Sequence, residues 1–381
     1  MKVTDFGIYV HWPFCAARCP YCDFNAYADQ SFDPTDWKRA FLLQLDHSAA
    51  ETGGRKCRSV FFGGGTPSLM PPDLVGAVIE RIDQHWQLAT DAEITLEANP
   101  SSSDAAQFTG YRAGGVNRLS IGVQSLRNRD LAALGRLHTA EEARAAVVLA
   151  SEIFPRVSLD LIYGRQNQSL EDWEAELREA LQWGSDHLSL YQLTIEEGTA
   201  FGERLKSGRL DGLPDGDLAA EMQLKAIEIC GDSGYHQYEI SNYSRPGGES
   251  RHNLIYWRCH DYLGIGPGAH GRISVADRRA ATETHLSPSQ WLSRVMRTGS
   301  GESCRRWLSA SEQAEEYLMM SLRLAEGVDL ARYSGLNGQE LCAERIAELE
   351  RQGLLRRTAD RLNATAGGSL VLNSVLSTLL H

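Results

Sequence analysis

Short apolar runs alternate with longer amphipathic segments from residue 7 to about residue 195. The apolar runs predict six strands, at Gly7–His11, Ser59–Phe62, Glu93–Glu97, Arg118–Ile121, Val157–Leu161 and His187–Tyr191. The amphipathic segments predict helices between them, at Asp36–Leu45, Pro72–Trp86, Thr139–Ser151 and Leu170–Trp183. Strands separated by helices imply βαβ crossovers and a parallel sheet. The pattern therefore predicts an α/β fold built on an open, partial (β/α)6 barrel.

The rest of the chain has a different pattern. Residues 196–285 are mixed, with glycine- and proline-rich breaks, whereas the pattern from residue 286 is mostly helical. Predicted elements there are the helices Pro288–Arg297, Ser309–Leu324 and Asn337–Gln352, a two-stranded stretch at Leu354–Thr365 and a last helix at Ser369–Leu380. We therefore expect two domains, residues 1–285 and 286–381. Helices followed by a small hairpin predict a winged-helix-like second domain.

Composition narrows the class of protein. Of 381 residues, 42% are apolar and 23% are charged, which is typical of a globular protein with a large core. Lys and Arg number 38 and Asp and Glu number 50, for a net charge of −12. This balance argues against nucleic-acid binding as the main activity and favours a packing or lid role for the winged-helix-like domain. Because neither a membrane-spanning run nor a secretory signal occurs, we expect a soluble, cytoplasmic protein.

Three of the eight cysteines lie within eight residues, as Cys15-x3-Cys19-x2-Cys22. In a reducing cytosol such a group indicates metal or redox chemistry rather than disulfides. Three thiolates can hold three irons of a [4Fe–4S] cluster and leave the fourth iron open to a small molecule. A zinc site with His11 as fourth ligand and a redox pair of Cys19 and Cys22 are the alternatives at this point. The scattered cysteines are interpreted as small buried residues.

Unusual residues follow the ends of the first five predicted strands. They are the cysteine triplet, Gly63–Pro67, Glu97–Pro100, Gly122–Ser125 and Asp160, in strand order. Because the carboxyl ends of the strands form the active site of a parallel α/β barrel, these residues predict one shared pocket. The glycines would let backbone approach a ligand, Glu97 and Asp160 would accept hydrogen bonds from ribose hydroxyls, and Arg136 would pair with a ligand carboxylate.

Several longer segments carry a family resemblance. The segments "IYVHWPFC", "CPYCDFN", "FFGGGTPS", "LEANP", "RLSIGVQS" and "LDLIYG" resemble the radical S-adenosylmethionine (SAM) proteins, and more narrowly the oxygen-independent coproporphyrinogen oxidases and their HemW-type relatives. The resemblance implies a radical SAM barrel whose three cysteines bind [4Fe–4S], with SAM on the open iron. It implies an electron transfer from the cluster that cleaves SAM to a 5′-deoxyadenosyl radical. The implied SAM contacts are Tyr9, Tyr21, Gly64, Gly65, Thr66, Glu97, Gln124, Arg136 and Asp160.

Three features separate the two branches of this family. The oxidases carry a fourth cysteine at the position of Phe24, and they have an N-terminal segment for which Cys15 leaves no room. The sequence from His252 to Trp257, HNLIYW, fits the HNxxYW motif of HemW-type haem chaperones. The resemblance implies that His252 contacts haem, since imidazole is a common ligand of haem iron and Tyr256 and Trp257 offer flat faces. A purely structural role for His252 is the alternative.

The resemblance thus implies a haem chaperone that binds haem and transfers it to acceptor haemoproteins. The implied partners are haem, acceptor haemoproteins, including ones at the membrane surface, and a reductant for the cluster. Monomer and homodimer are both open. The alternative function is oxidative decarboxylation of coproporphyrinogen III to protoporphyrinogen IX. One departure from the family is Arg165-Gln166, where Leu-Pro is common. Without the proline the backbone of this loop is less restricted, so the loop is either adapted to a different partner or merely looser.

Overall fold

The computed structural model describes residues 5–28, 32–102 and 104–380. The strands are β1 (Phe6–Trp12), β2 (Cys57–Gly64), β3 (Leu88–Ala98), β4 (Arg118–Gln124), β5 (Arg156–Tyr163), β6 (His187–Gln192), β7 (His236–Gln237), β8 (Asn242–Ser244), β9 (Asp261–Ile265), β10 (His270–Val275), β11 (Arg278–Thr284), β12 (Glu302–Trp307), β13 (Val328–Asp329), β14 (Leu355–Arg357) and β15 (Arg361–Ala364).

The helices are α1 (Pro34–Thr52), α2 (Pro72–Trp86), α3 (Ala105–Ala113), α4 (Asn128–Ala133), α5 (Ala140–Ile153), α6 (Leu170–Leu181), α7 (Ala200–Lys206), α8 (Gly216–Asp232), α9 (Arg251–Trp257), α10 (Pro288–Thr298), α11 (Ala310–Ser321), α12 (Leu330–Asn337), α13 (Ala343–Arg351), α14 (Ala366–Leu370) and α15 (Leu372–Leu380). Short 3₁₀ turns follow β2 and β3, at Pro67–Leu69 and Pro100–Ser102.

The large sheet has the strand order β12-β11-β10-β9-β1-β2-β3-β4-β5-β6-β8-β7. Its middle, β9 and β1 to β6, is parallel, and the strands at both edges are antiparallel. All six predicted strands are present in the predicted order, so the parallel α/β prediction is confirmed. The sequence did not predict β9, which lies beside β1 and adds another parallel strand. Its segment, Asp261–Ile265, lies in the region with a mixed pattern.

Helix boundaries follow local capping chemistry. Thr139 begins α5 and Ser169 begins α6, each with a capping box in which the side chains and backbone N–H groups three residues apart bond reciprocally. The predicted helix Asn337–Gln352 is confirmed only from Ala343 to Arg351 (α13), and Asn337 is instead the last residue of α12. Gly338 adopts a left-handed conformation (φ 68°) and ends α12, as glycine commonly does. Helix α13 begins only after Cys342.

The two predicted domains have separate cores in part. A large apolar cluster joins the strands of the main sheet to α1, α2, α5, α6 and α8. A second cluster joins α11, α13 and α15 to a three-stranded antiparallel sheet of order β13-β15-β14. The main sheet continues through β12 to Trp307. The boundary at residue 285 stays a prediction.

The C-terminal elements pack against the end of α9. Arg332 of α12 donates to the carbonyl oxygens of Arg258 (2.8 Å) and Cys259 (3.2 Å), and Ser321 of α11 donates to that of Trp257 (3.4 Å). These contacts support a packing role for this region. None of the helices in the described part of the chain combines the length and apolar character needed to cross a bilayer.

Candidate functional site

A cavity of about 430 Å³ lies at the carboxyl ends of the parallel strands. It is the place that the sequence predicted for a shared pocket. The predicted site residues that line it are Cys15, Cys19, Cys22, Tyr21, Gly64, Gly65, Thr66, Glu97, Gln124, Arg136 and Asp160. Tyr9 and His252 are not among its lining residues. The described lining residues end at Glu196, so the C-terminal elements form no lid over the cavity in this structure.

The three cysteines lie on one loop that is closed at its base. Phe14 and Tyr27 form a parallel β-bridge, and the Cys15 N–H donates to the Tyr27 carbonyl (2.9 Å). Inside the loop, the Cys22 N–H donates to the Cys19 carbonyl (3.1 Å) in a turn. These backbone bonds hold all three cysteines along one wall of the cavity.

His11 ties this loop to β1. Its Nε2–H donates to the carbonyl of Asn25 (3.0 Å), which leaves Nδ1 to accept the hydroxyl proton of Tyr9 (3.0 Å). The Asn25 side chain in turn donates to the carbonyls of Pro267 (3.1 Å) and Leu286 (2.9 Å). Tyr9 and His11 therefore support the loop from behind, and both nitrogens of His11 are already used.

The described residues offer no ready-made site for a single zinc ion. Across the described ranges, no three His, Cys, Asp or Glu side chains converge on a point that would hold a single metal ion. A structural zinc site needs four ligands around one ion, whereas a [4Fe–4S] cluster binds each thiolate on a different iron. Burial raises the pKa of the Cys22 thiol to about 11 and raises that of Cys15 as well. Cluster binding would therefore displace protons from these thiols.

The glycine loop after β2 packs more tightly than the sequence predicted. Gly64 has a φ of 111°, and a side chain there would lie 2.6 Å from the His11 ring. A side chain at Gly65 would lie 2.6 Å from the Phe14 carbonyl oxygen. The N–H groups of Gly64, Gly65 and Thr66 already donate to the Glu97 carboxylate and to the Trp12 and Phe14 carbonyls. These three N–H groups are therefore already used within the protein, and the glycines allow this loop to approach the cysteine loop while both still line the cavity.

Glu97 and Asp160 form an acidic pair on the cavity floor. Burial, together with the negative charge of Asp160, raises the pKa of Glu97 to about 8. Burial also raises the pKa of Asp160, to about 6, although hydrogen bonds from neighbouring serines oppose the shift. Ser120 donates to both oxygens of Asp160 (3.1 and 3.2 Å). One proton on Glu97 and one charge on Asp160 at pH 7 suit a ligand that presents hydroxyl groups.

Gln124 and Arg136 present unused polar atoms. Gln124 has a left-handed φ of 66°, which is strained for a residue other than glycine, and its buried Oε1 has no hydrogen-bond partner. Arg136 donates to the Gly122 carbonyl (3.1 Å) and the Cys19 sulfur (3.6 Å), while its buried Nε has no partner. Buried polar groups are normally paired, so these atoms mark places for ligand groups. Together with the acidic pair they fit a ligand like SAM, which carries an amine, a carboxylate and ribose hydroxyls.

His252 is not among the residues that line this cavity. Its ring has no exposed surface, and Nδ1 and Nε2 hydrogen-bond the hydroxyls of Ser59 (2.7 Å) and Tyr256 (2.6 Å). Its N–H donates to Glu93 (3.2 Å). Ser59 and Glu93 lie toward the amino ends of β2 and β3, so α9 closes the end of the barrel opposite the cysteines. In this structure neither ring nitrogen of His252 is free to bind iron.

The rim loop after β5 is held by Arg165, which is almost completely buried. Its guanidinium donates to Glu176 of α6 (2.5 Å), to Asp130 of α4 (3.1 Å) and to the carbonyl of Ile162, which lines the cavity. Glu176 also accepts from the Ser125 hydroxyl (2.6 Å). The ion pair of Arg165 with Glu176 restricts this loop in place of the family's proline.

Sequence reasoning missed several cavity residues, including Arg18, Ser120, Tyr191 and Glu196. The strand pattern could have identified Ser120, because alternate residues of a strand share one face. Ser120 lies two residues before Gly122 and four before Gln124. Arg118 lies on the same face, deeper in the barrel, and is 2% exposed. Phe24, where the oxidases have cysteine, also lines the cavity and is 57% exposed.

Comparison with known proteins agrees with the fold and the cavity. Residues 9–180 match the radical SAM superfamily, and residues 308–371 match the HemN C-terminal domain. The coproporphyrinogen III oxidase HemN of Escherichia coli, a radical SAM enzyme, superposes with a TM-score of 0.82 over 99% of this chain and 90% of that one. The sequences are 22% identical, so this likeness shows the fold alone. The molecule is thus a radical SAM protein by its fold, and that class implies a [4Fe–4S] cluster and SAM.

Full-length relatives narrow the class. "Heme chaperone HemW" of Escherichia coli is 38% identical over 100% of this chain and 99% of its own length. The same name belongs to a Mycobacterium tuberculosis protein that is 37% identical over 100% of this chain and 96% of its own. "Radical S-adenosyl methionine domain-containing protein 1, mitochondrial" of Bos taurus is 40% identical over 98% of this chain and 87% of its own. The chain belongs to the HemW family of the radical SAM proteins.

Proposed function

We propose that this protein is a haem chaperone that binds haem and passes it to acceptor haemoproteins, and that it holds a [4Fe–4S] cluster and exchangeable SAM in the cavity. Cys15, Cys19 and Cys22 would ligate the cluster, which supplies one-electron chemistry when bound. The family relatives named as heme chaperones support haem as the cargo.

The observation that carries the cofactor assignment is the convergence on one cavity. Three thiols, an acidic pair, Gln124 and Arg136 line about 430 Å³ of space, and Gln124 Oε1 and Arg136 Nε are buried without partners beside it. Glu97 and Asp160 would hold the ribose hydroxyls, and Arg136 would face the ligand carboxylate. Tyr21 would cover one side of the ligand. This arrangement would orient SAM and exclude water from it.

Coproporphyrinogen III oxidation is the second candidate, because the fold matches that of an oxidase. Phe24 argues against it. The oxidases have a cysteine at this position, and here an exposed aromatic ring lies at the cavity. The haem-chaperone function therefore has the better support.

The test uses the full chain after anaerobic cluster reconstitution. Haem uptake is followed by the Soret band, and transfer is followed by the appearance of a holo acceptor from its apo form. We expect saturation near one haem per chain, transfer to the acceptor, and no turnover of coproporphyrinogen III with SAM. Protoporphyrinogen IX formation, or a failure to take up any haem, would overturn the proposal.

A further inference from the structure

Three buried side chains form a chain of hydrogen bonds inside the barrel. His187, the first residue of β6, bonds the hydroxyl of Ser158 on β5 through Nδ1 (2.6 Å) and that of Tyr238 through Nε2 (2.8 Å). The Tyr238 oxygen also accepts the backbone N–H of Ser250, the N-cap residue of α9 (3.2 Å). His187, Ser158 and Tyr238 are at most 6% exposed. The chain therefore starts at α9, the helix of the HNLIYW segment, and leads inward to β5.

Asp160 lies at the cavity end of this chain. It follows Ser158 by two residues, so the two side chains share one face of β5. Asp160 lines the cavity, whereas the three side chains of the chain are not among its described lining residues. Burial raises the pKa of Asp160 to about 6, and hydrogen bonds from Ser189, Ser120 and Ser158 oppose this rise. Because a carboxylate only accepts hydrogen bonds, the Ser158 hydroxyl gives its proton to Asp160.

The direction of every hydrogen bond in the chain follows from its cavity end. Since the serine proton is used on the carboxylate, Nδ1 of His187 carries the proton in the bond to Ser158. Burial, together with the positive charges of Arg118 and Arg156, lowers the pKa of His187 well below its usual value, so the ring is neutral. Its Nε2 is therefore an acceptor, and the Tyr238 hydroxyl donates to it. The backbone N–H at the other end of the chain can only donate, which agrees with this direction.

Backbone contacts fix the position of His187. Its N–H donates to the Ser185 hydroxyl (3.1 Å), which donates to the Val157 carbonyl (2.7 Å). The parallel pairing of β5 and β6 places His187 directly opposite Ser158. A fixed imidazole with one tautomer orients the Ser158 hydroxyl toward Asp160. Hydrogen bonds donated to a carboxylate favour its charged form and limit its rotation.

The surrounding charges also favour the ionised form of Asp160. Arg118 on β4 is 2% exposed, and its Nε has no hydrogen-bond partner among the described residues. Burial raises the pKa of both Asp160 and Glu97, and the positive charge of Arg118 counteracts that rise. The titratable and charged groups that face the chain and Asp160 are Glu93 and Glu97 on β3, Arg118 on β4, Arg156 on β5, Tyr191 on β6 and Glu239 after β7. With Glu97 protonated, Asp160 carries the negative charge of the acidic pair at pH 7.

We infer that His187 is a positioning residue of the SAM site, which acts through Ser158 to hold Asp160 as an ionised acceptor for the ribose hydroxyls. The inference rests on the proposed function, because it assigns a support to the SAM contact at Asp160. His187 itself lies outside the described cavity lining and would not touch the ligand. Through Tyr238, the chain would also link the SAM site to α9 at the opposite end of the barrel.

The test measures the affinity of the anaerobically reconstituted full chain for SAM by isothermal titration calorimetry, from about pH 5.5 to about pH 8. His187→Leu removes both ring nitrogens and should weaken binding at pH 7 at least about fivefold. The pH at which acid abolishes binding should rise by about one unit, because Asp160 then binds a proton more readily. His187→Asn, whose amide can donate to Ser158, should restore the affinity to within about twofold of the wild type.

Two further variants separate the chain of hydrogen bonds from a general loss of structure. Ser158→Ala removes the hydroxyl between His187 and Asp160, and it decides the question if His187→Leu does not fold. It should reproduce the loss and the pH shift, and adding it to His187→Leu should change little, because both break one chain. Gln44→Leu is the matched control, since Gln44 is also buried and accepts two hydrogen bonds, at 2.9 and 3.0 Å, outside the cavity lining. This control should leave the affinity for SAM and its pH dependence as in the wild type.

The outcomes distinguish the inference from the proposed function. Wild-type affinity and pH dependence in both His187→Leu and Ser158→Ala would overturn the inference. Equal losses in His187→Leu and Gln44→Leu, or no rescue by His187→Asn, would also overturn it, since they would show a purely structural role. If the wild type binds no SAM, the proposed cofactor assignment fails and the inference falls with it, and this outcome is seen without any substitution.

Discussion

The guanidinium of Arg165 lies 2.5 Å from the carboxylate of Glu176, and both side chains are almost completely buried. This pair joins the loop after β5 to α6. Glu176 also accepts from Ser125 and from the Leu126 N–H (both 2.6 Å) after β4. One buried carboxylate thus fixes two neighbouring strand ends at the cavity.

Removing one partner of this pair should be strongly destabilising. Glu176→Ala leaves the buried Arg165 with Asp130 as its one carboxylate partner among the described residues, and we expect a loss of about 3–5 kcal/mol in the free energy of unfolding, measured by urea denaturation. The matched control is Glu179→Ala, because Glu179 of the same helix pairs with Arg127 at 2.7 Å but is exposed. The control should cost no more than about 1 kcal/mol. Equal effects of the two substitutions would contradict the importance of burial here.

The cysteines of the loop should be required for cluster binding, whereas a cysteine outside the loop should not be. Replacing Cys15, Cys19 and Cys22 together by Ala should abolish the visible absorption of the cluster after anaerobic reconstitution, since no thiolate is left to hold iron. Cys304→Ala is the control, because this cysteine is exposed and lies outside the cavity. Chemical analysis measures how much iron and sulfide each variant retains per chain. Full retention of both in the triple variant would rule out the cluster site.

Glu97 predicts a pH dependence of stability above neutrality. Its pKa is raised to about 8, so in the range between its unfolded pKa and pH 8 the folded state binds more protons than the unfolded state. Stability must therefore fall as pH rises through this range, by at most about 1.4 kcal/mol per pH unit for one group. We expect Glu97→Gln to be less sensitive to pH than the wild type from pH 6.5 to 8 in urea denaturation.

The comparison of these two proteins reports on Glu97 together with Asp160, because the charge of Asp160 contributes to the raised pKa of Glu97. Parallel stability curves for the wild type and Glu97→Gln would show that the carboxyl group is ionised normally. Adding SAM to the reconstituted protein should also give a smaller stabilisation in the variant than in the wild type.

His252 predicts the opposite pH dependence of stability, and it does so below neutral pH. Burial lowers its pKa to about 3, so between pH 3 and the usual histidine range the unfolded state binds the extra proton. Stability should therefore rise with pH up to about 6.5. His252→Ala should lower the free energy of unfolding at pH 7 by about 2–4 kcal/mol, because it leaves the hydroxyls of Ser59 and Tyr256 without their partner and opens a cavity.

The matched control for this substitution is His236→Ala, since the His236 side chain is 44% exposed and makes one contact, with Glu249. It should change the free energy of unfolding by no more than about 0.5 kcal/mol. A small effect at His252 as well would mean that the buried network is dispensable.

Local sequence patterns specify the parallel barrel and the chemistry at one of its ends. Apolar runs and amphipathic segments predicted β1 to β6. Because the strand ends of a parallel sheet meet at one edge, the sequence alone places Cys22, Glu97 and Asp160 together. The alternation of strands and helices is visible in short segments of the sequence. A parallel sheet built from them then places the carboxyl ends of its strands at one edge.

The roles of the remaining residues depend on packing between distant segments. The motif containing His252 indicated haem contact, but packing against Ser59 and Tyr256 puts this ring inside the closed end of the barrel. In the sequence, Arg165-Gln166 stands out only because the family commonly has Leu-Pro there. In the structure, Arg165 forms a buried ion pair with Glu176, eleven residues away, and this pair fixes the loop. Hydrogen bonds between distant segments depend on the final packing, and a single sequence does not encode them in any local pattern.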